Sequence, residues 1–297
     1  MTGARIVCVG DVVNDIVVVP VTAMRADTDT TARIRRSAGG SAANTAAWLG
    51  ALGAPVDFVG SVGLADAELH ADRLRAHGVV PHLGVADGLE TATIVIVVDG
   101  DRRTMLTDRG ANAELDQGQV ADALLDAAGS LHLTGYSLFD GPRAAGIRRL
   151  IERAHERGVV VSMNPGSVGY IADYGVERFA ADIAGVDVLL ATLDEAALLT
   201  GIDDPAAATS ALAERHGTAV VTRGPLPVLA SERGGRVIEV PVPAAALVDP
   251  TGAGDAMAAG FLAARLRGAE TADAVAGGIA AAARAIRIVG GRPPAAR

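Results

Sequence analysis

The chain has 297 residues, half of them hydrophobic with much of that alanine, a formal net charge of −9 and a single cysteine. That length suits one large α/β core with a small appendage, because single cores stop growing near ~250–300 residues. The negative balance speaks against a general nucleic-acid binder, no apolar run approaches the roughly 20 residues that cross a bilayer, and a lone Cys8 excludes an internal disulfide or a cysteine-cluster metal site.

From the amino end, residues 5–10 form an apolar run too short for a signal peptide. They read as a first buried strand, with Cys8 a small hydrophobe inside it, and the protein is expected in the cytoplasm. Residues 12–37 are β-prone and charge-bearing without a strong helix. Helical patterns over 43–52 and 66–77 flank an apolar strand at 56–59, with Gly53 and Gly78 as stops. Residues 89–108, with a strand at 94–98, break the rhythm a second time. Beyond them come helices at 117–128, 142–157, 194–200, 205–216, 254–267 and 270–287, and strands at 131–134, 158–163, 186–191 and 218–222. The tail from Arg292 is expected to fray. Alternating short apolar strands and helices predict a doubly wound, mainly parallel sheet flanked by helices, built from residues 1–11, 38–88 and 109–297. Residues 12–37 and 89–108 are expected to make a small extra β-sheet. No repeat of fixed period is present.

The strongest chemical signal is Asp249-Pro250-Thr251-Gly252-Ala253-Gly254-Asp255, followed at once by an alanine-rich amphipathic stretch. A glycine-rich turn opening a helix gathers backbone N–H groups at the positive end of the dipole, where they can hold a phosphoryl group. Asp255 beside that cradle could take a proton from an attacking hydroxyl. The plainer reading is an acidic residue stabilised by the helix dipole alone. The Lys-Ser/Thr of a Walker loop is missing, and Gly10 is followed by Asp11 rather than by the spaced glycines of a dinucleotide fingerprint. A second turn, Gly39-Gly40-Ser41-Ala42-Ala43-Asn44, also leads into a helix. Asn44 carries a donor and an acceptor suited to adjacent hydroxyls, and Asp15 could accept from two; each also reads as a cap or turn residue.

Together the two turns resemble the paired signatures of the ribokinase-like (PfkB) carbohydrate kinases. The likeness extends to Gly60-Ser61-Val62-Gly63 with Asp66, Arg109-Gly110-Ala111-Asn112, Asn164-Pro165 and Thr222-Arg223-Gly224, so that it spans nearly the whole chain. It implies an α/β core with the small sheet as a lid, a sugar lying between them, and ATP with Mg²⁺ on the carboxy-terminal half. By matching position Asp255 resembles the catalytic base, and the backbone of Gly252, Ala253 and Gly254 the anion hole. Asp15, Gly39, Gly40 and Asn44 resemble ligands of the sugar hydroxyls, and Thr222 and Gly224 the nucleotide-phosphate turn. Glu195 would orient the water shell of Mg²⁺. Asp249 and the carbonyl of Thr251 resemble ligands of a monovalent cation, expected to be K⁺. One departure stands out: the family's Asn-x-x-Glu is here Thr192-Leu193-Asp194-Glu195.

The lid segments contain no Phe, Tyr or Trp. A nucleoside kinase needs a flat face for the base, since stacking is worth about 1–3 kcal/mol per base, so the composition favours a free sugar or sugar acid. Arg103 and Arg109 could meet a carboxylate or phosphate, or belong to a solvated face. His132 reads as a core histidine. The alternatives are a nucleoside kinase, and a sugar- or nucleotide-binding regulator without turnover, for which Thr192 is the support. A homodimer through the lid is expected, because edge strands need covering.

Overall fold

The computed structural model of the chain describes residues 4–99, 102–139 and 144–294. The first half runs β1 (Arg5–Val9), β2 (Val13–Pro20), β3 (Ala32–Gly39), α1 (Ser41–Ala51), β4 (Val56–Gly63), α2 (Ala67–Arg75), β5 (Val79–Ala86), β6 (Thr93–Asp99), β7 (Arg102–Asp108), α3 (Asp122–Asp126) and β8 (Ala128–Thr134). The second runs α4 (Ala144–His155), β9 (Val160–Asn164), α5 (Val168–Tyr174), α6 (Val176–Asp182), β10 (Val188–Thr192), α7 (Leu193–Thr200), α8 (Pro205–His216), β11 (Thr218–Arg223), β12 (Leu226–Glu232), β13 (Ile238–Val240), α9 (Ala253–Leu266) and α10 (Thr271–Ala285).

Nine strands form the main sheet in the order β13-β12-β11-β10-β9-β8-β1-β4-β5. Every pairing from β11 to β5 is parallel, and β12 and β13 add antiparallel strands at one edge. The chain winds from β1 through β4 to β5 in one direction, then returns to β8 on the other side of β1. Such a reversal opens a crevice at the carboxyl ends of the strands, where open α/β sheets bind ligands. Both faces of the sheet are covered: Ile6 and Cys8 pack with Ala42, Trp48, Phe261 and Val275, whereas Val7 and Val9 pack with Ile147, Phe179 and Leu212. Burial on both sides is why β1 reads as an unbroken apolar run. Burial also pushes the Cys8 thiol up, and the buried His132, hydrogen-bonded through Nδ1 to Ser162 Oγ, is pulled down to about 3 and is neutral.

Glycine sets how closely the last two helices approach. A Cβ on Gly260 of α9 would meet the Gly277 carbonyl of α10 at 2.4 Å, so the two helices touch backbone to backbone.

The separate four-stranded sheet has the order β3-β2-β6-β7. Register places Asp15 beside Ile94 and Ile94 beside Thr107, while Ile96 pairs with Met105. One face therefore carries Asp15, Ile94, Ile96, Met105 and Thr107, and the other carries Ile16, Val18, Ile34, Val95 and Leu106.

Some elements differ from expectation. The helix expected over 117–128 is a 3₁₀ turn at Gln117–Gln119 followed by the short α3, because the Asp116 carboxylate accepts the Gly118 amide and tightens the chain. Helices α5 and α6, interrupted by Gly175 at φ 97°, were not expected, nor were strands β5, β12 and β13. Among the described residues no helix is long and apolar enough to cross a membrane.

Candidate active site

The crevice between the carboxyl ends of the strands, the small sheet and the start of α9 encloses a cavity of about 790 Å³. Its lining includes the expected Asp15, Gly40, Asn44, Arg109, Glu195, Thr222, Thr251, Gly252, Ala253, Gly254 and Asp255. Gly39, Gly224 and Asp249 are not on its wall.

Gly252 starts α9 with φ 76°, and a Cβ there would strike Gly291 at 2.5 Å, so only glycine fits. The turn is closed by Ala253 donating its amide to the Pro250 carbonyl (3.2 Å), and the helical ladder begins only at Ala256, which donates to Gly252. No side chain caps this helix. Asp255 in the first turn reaches instead across the cavity: Ser41 Oγ donates to its Oδ1 (2.7 Å) and Asn44 Nδ2 to its Oδ2 (2.9 Å). Burial pushes Asp255 up to about 7; the two hydrogen bonds oppose this, and the charges of Asp11 and Asp15 add to it. A carboxylate poised near neutrality suits a general base.

The opposing turn is held by a residue the sequence reading passed over. Asp11, just after β1, accepts from the amides of Ser41 (2.6 Å) and Ala42 (3.1 Å) and from Thr134 Oγ1 (3.0 Å), so its carboxylate occupies the start of α1. Asp15 lies against Gly39, where a Cβ would meet its Oδ2 at 2.1 Å. Burial pushes Asp15 up to about 6, opposed by the nearby Arg292 and reinforced by Asp11.

Thr192, the departure from the expected asparagine, caps α7. Its Oγ1 accepts the Glu195 amide (3.3 Å), and Glu195 Oε2 accepts the Thr192 amide (2.8 Å), a complete capping box. Thr-x-x-Glu before an apolar run announces that box in the sequence. Glu195 is buried, which raises its carboxyl. Nearby, Asn164 lines the cavity with its Oδ1 buried and unpartnered, a ready acceptor for a ligand or its water. The donor and acceptor set of Thr192, Glu195, Thr222 and Asn164 fits a nucleotide phosphate and a hydrated divalent ion. Among the described residues no cluster of three or more His, Cys, Asp or Glu could cage a metal directly. Asp249 Oδ1 accepts from the amide and hydroxyl of Thr251 and Oδ2 from the Gly290 amide. It ties the turn to the carboxy-terminal loop.

Arg109 lines the cavity and donates Nη2–H to the Tyr136 carbonyl (2.6 Å); the side chain of Arg103 lies outside the described residues. The small-sheet face is aliphatic, as expected, but Tyr136 and Tyr170 supply an aromatic wall from the core, edge to face at 6.1 Å. The tail is not frayed at its start: Arg292 is drawn in against Asn44 and Gly39. Neither the tyrosine wall nor Arg292 carried a local signal.

Comparison with known proteins agrees with this geometry. The family profile described as pfkB family carbohydrate kinase matches residues 4–296. An ATP-dependent ribose-1-phosphate kinase of Halopiger xanaduensis is 32% identical over 77% of this chain and 73% of its own. A 1-phosphofructokinase of Haloferax volcanii is 30% identical over 87% and 82%. The solved adenosine kinase of Sinorhizobium meliloti is 28% identical, with a TM-score of 0.87 over 98% of this chain and 96% of that one. With the fold, the two turns and the family profile in agreement over nearly its whole length, the chain belongs to the pfkB family of carbohydrate kinases.

Proposed function

We propose that the protein transfers the γ-phosphoryl group of ATP to a hydroxyl of a small sugar, sugar acid or sugar phosphate, with Asp255 as the base. The observation that carries this is Asp255 itself: half-buried, held near neutrality, and placed in the first turn of α9 beside the Gly252–Gly254 backbone. Asp15, Asn44 and the Gly39–Gly40 turn receive the acceptor's other hydroxyls. As the acceptor hydroxyl approaches Asp255 it displaces Ser41 or Asn44 from one oxygen, gives up its proton there and attacks the γ-phosphorus, whose bond to the β-phosphate bridging oxygen breaks to release ADP, while the backbone of Gly252, Ala253 and Gly254 faces the charge on the transferring group. Thr222, Gly224, Thr192, Asn164 and Glu195 hold the nucleotide and its Mg²⁺, which when bound supply the phosphoryl group and neutralise its charge. K⁺ at Asp249 and the Thr251 carbonyl would steady the same turn, and replacing it by a large organic cation should lower the rate.

Arg109 gives an otherwise acidic cavity a cation, which favours an acceptor with a carboxylate or phosphate. The named acceptors of the two archaeal relatives, ribose 1-phosphate and a phosphorylated fructose, are of that kind. The tyrosine wall favours a second reading, a nucleoside acceptor whose base lies on Tyr136 or Tyr170. We further propose that the small sheet closes over the acceptor and that its outer face, with Ile34 and Leu106 exposed, pairs with a second copy in a cytoplasmic homodimer. A monomer by sedimentation at micromolar concentration would remove the dimer.

The test is ADP release with Mg-ATP and potassium across pentoses, hexoses, keto-sugar acids, sugar phosphates and nucleosides, with Asp255→Asn run alongside. An acceptor-dependent signal lost in the variant supports the assignment and chooses between sugar and nucleoside. Silence across the panel moves weight to a binder without turnover.

A further inference from the structure

We propose that Arg292 is a positioning residue for the acceptor side of the site: its guanidinium fixes the amide of Asn44 so that the NH₂ group faces Asp255, and it pins the carbonyl of Gly39, the residue whose Cα the Asp15 carboxylate packs against. The inference rests on the kinase reading above.

A guanidinium has donors only. Arg292 directs Nη2 at the Gly39 carbonyl (3.0 Å) and Nε at Asn44 Oδ1 (3.4 Å). With a donor on its oxygen side, Asn44 has one good orientation, and Nδ2 then donates to Asp255 Oδ2 at 2.9 Å. Turning the amide over would set NH₂ against guanidinium and oxygen against carboxylate, two repulsions in place of two attractions. The backbone before Arg292 holds the same place. Gly291 accepts Trp48 Nε1 (2.9 Å), and a Cβ at position 291 would meet Asn44 Nδ2 at 2.4 Å. The loop is thus wedged between α1 and the Gly252 turn, and Arg292 reaches from it toward the acceptor residues.

Among the described residues no carboxylate pairs directly with this cation, and its Nη1 is shielded from solvent without a hydrogen-bond partner. Burial pulls Arg292 down to about 10, with Arg73 adding to that and Asp15 and Asp11 opposing it. From the α2 side His70, bonded to Asn14 and near Asp66, and His77 are both lowered by burial and by Arg292. Such an arrangement is costly unless the charge does something for its neighbours. The neighbours it serves are Asp15, whose ionised form it favours, and Asn44.

Carboxyl titration in the unliganded protein tests this without turnover. Aspartate labelled with ¹³C at Cγ is followed by NMR against pH, with the Asp15 and Asp255 signals assigned from Asp15→Asn and Asp255→Asn. Arg292→Met should raise both midpoints: Asp15 loses its cation, and Asp255 loses a fixed donor. Arg292→Lys should return Asp15 toward its wild-type midpoint but leave Asp255 displaced, because a point charge cannot hold the Gly39 carbonyl and Asn44 Oδ1 together. Near-UV circular dichroism establishes that the variants are folded, and the lysine variant carries the test if the methionine variant is not.

On an acceptor that wild type turns over, Arg292→Met should lower kcat/KM for that acceptor at least about tenfold while KM for ATP stays within about twofold. Its effect should combine with that of Asn44→Ala less than multiplicatively. Unmoved midpoints, or strictly multiplicative effects, overturn the role of Arg292 and leave the kinase reading standing. Shifted midpoints in a protein that phosphorylates nothing on the panel would instead remove the kinase reading and leave the Arg292–Asn44–Asp255 linkage.

Discussion

The two glycine turns that face each other across the cavity look alike in sequence but are finished in opposite ways. At the start of α1 the amides of Ser41 and Ala42 are already met by the carboxylate of Asp11. At the start of α9 no side chain performs that service, and the first-turn acid, Asp255, turns away to bond Ser41 and Asn44. A helix start that carries its own anion is a support; one left without a capping side chain is a place for a visiting anion. The difference matches the proposed function, in which the second turn handles the phosphoryl group and the first receives the acceptor's hydroxyls.

The sharpest way to break this division is Asp255→Asn, expected to lower kcat by about 10³ through loss of the base while nucleotide binding persists in a calorimetric titration. The same residue sets the pH dependence. In wild type kcat/KM should rise with pH through about 7 as Asp255 ionises. Because the fold raises this carboxyl above its unfolded value, its contribution to stability is complete below about 4 and is lost as pH rises through about 7. Asp255→Asn should therefore gain in melting temperature over wild type at pH 8 and not at pH 4.

Gly252→Ala comes next. The added methyl meets Gly291 and the φ of 76° resists it, so kcat should fall about a hundredfold with the displaced amides, read from ADP release at saturating acceptor. Asp11→Asn should act on the other turn, costing about 1–2 kcal/mol in urea unfolding for the lost helix-start contacts and raising KM for the acceptor more than it lowers kcat. If it instead weakened ATP binding, the division between the turns would be wrong. The smallest effect is expected at Thr192. Alanine there should cost about 1 kcal/mol by loss of the capping box, whereas asparagine, a good cap, should be close to neutral in stability.

Much of this was legible in the sequence because it is local. Gly252 through Asp255 and Gly39 through Asn44 are contiguous, the alternation of apolar strands and helices marks the sheet, and the two irregular stretches match the strands of the small sheet. What was illegible is held together over long separations. Asp11 meets Ser41, and Arg292 meets Asn44 and Gly39, only because the sheet order brings the end of β1, the start of α1 and the carboxy-terminal loop together. The tyrosine wall escaped because attention to the lid segments could not reveal that the core lines the other side. Thr192 was legible as a departure from a family pattern, and the structure adds that it is also half of a complete cap on α7.

The backbone contact between Gly260 and Gly277 has a consequence for how such an enzyme changes its diet. Where backbone meets backbone at Gly260 and Gly277, α9 and α10 have little to rearrange, so the helix bearing the proposed base is a fixed floor. The roof is another matter: its inner face is made of single, separately replaceable residues such as Ile94, Ile96, Met105 and Thr107. New acceptors can thus be accommodated by exchanging those side chains one at a time, while the machinery that moves the phosphoryl group is inherited unchanged.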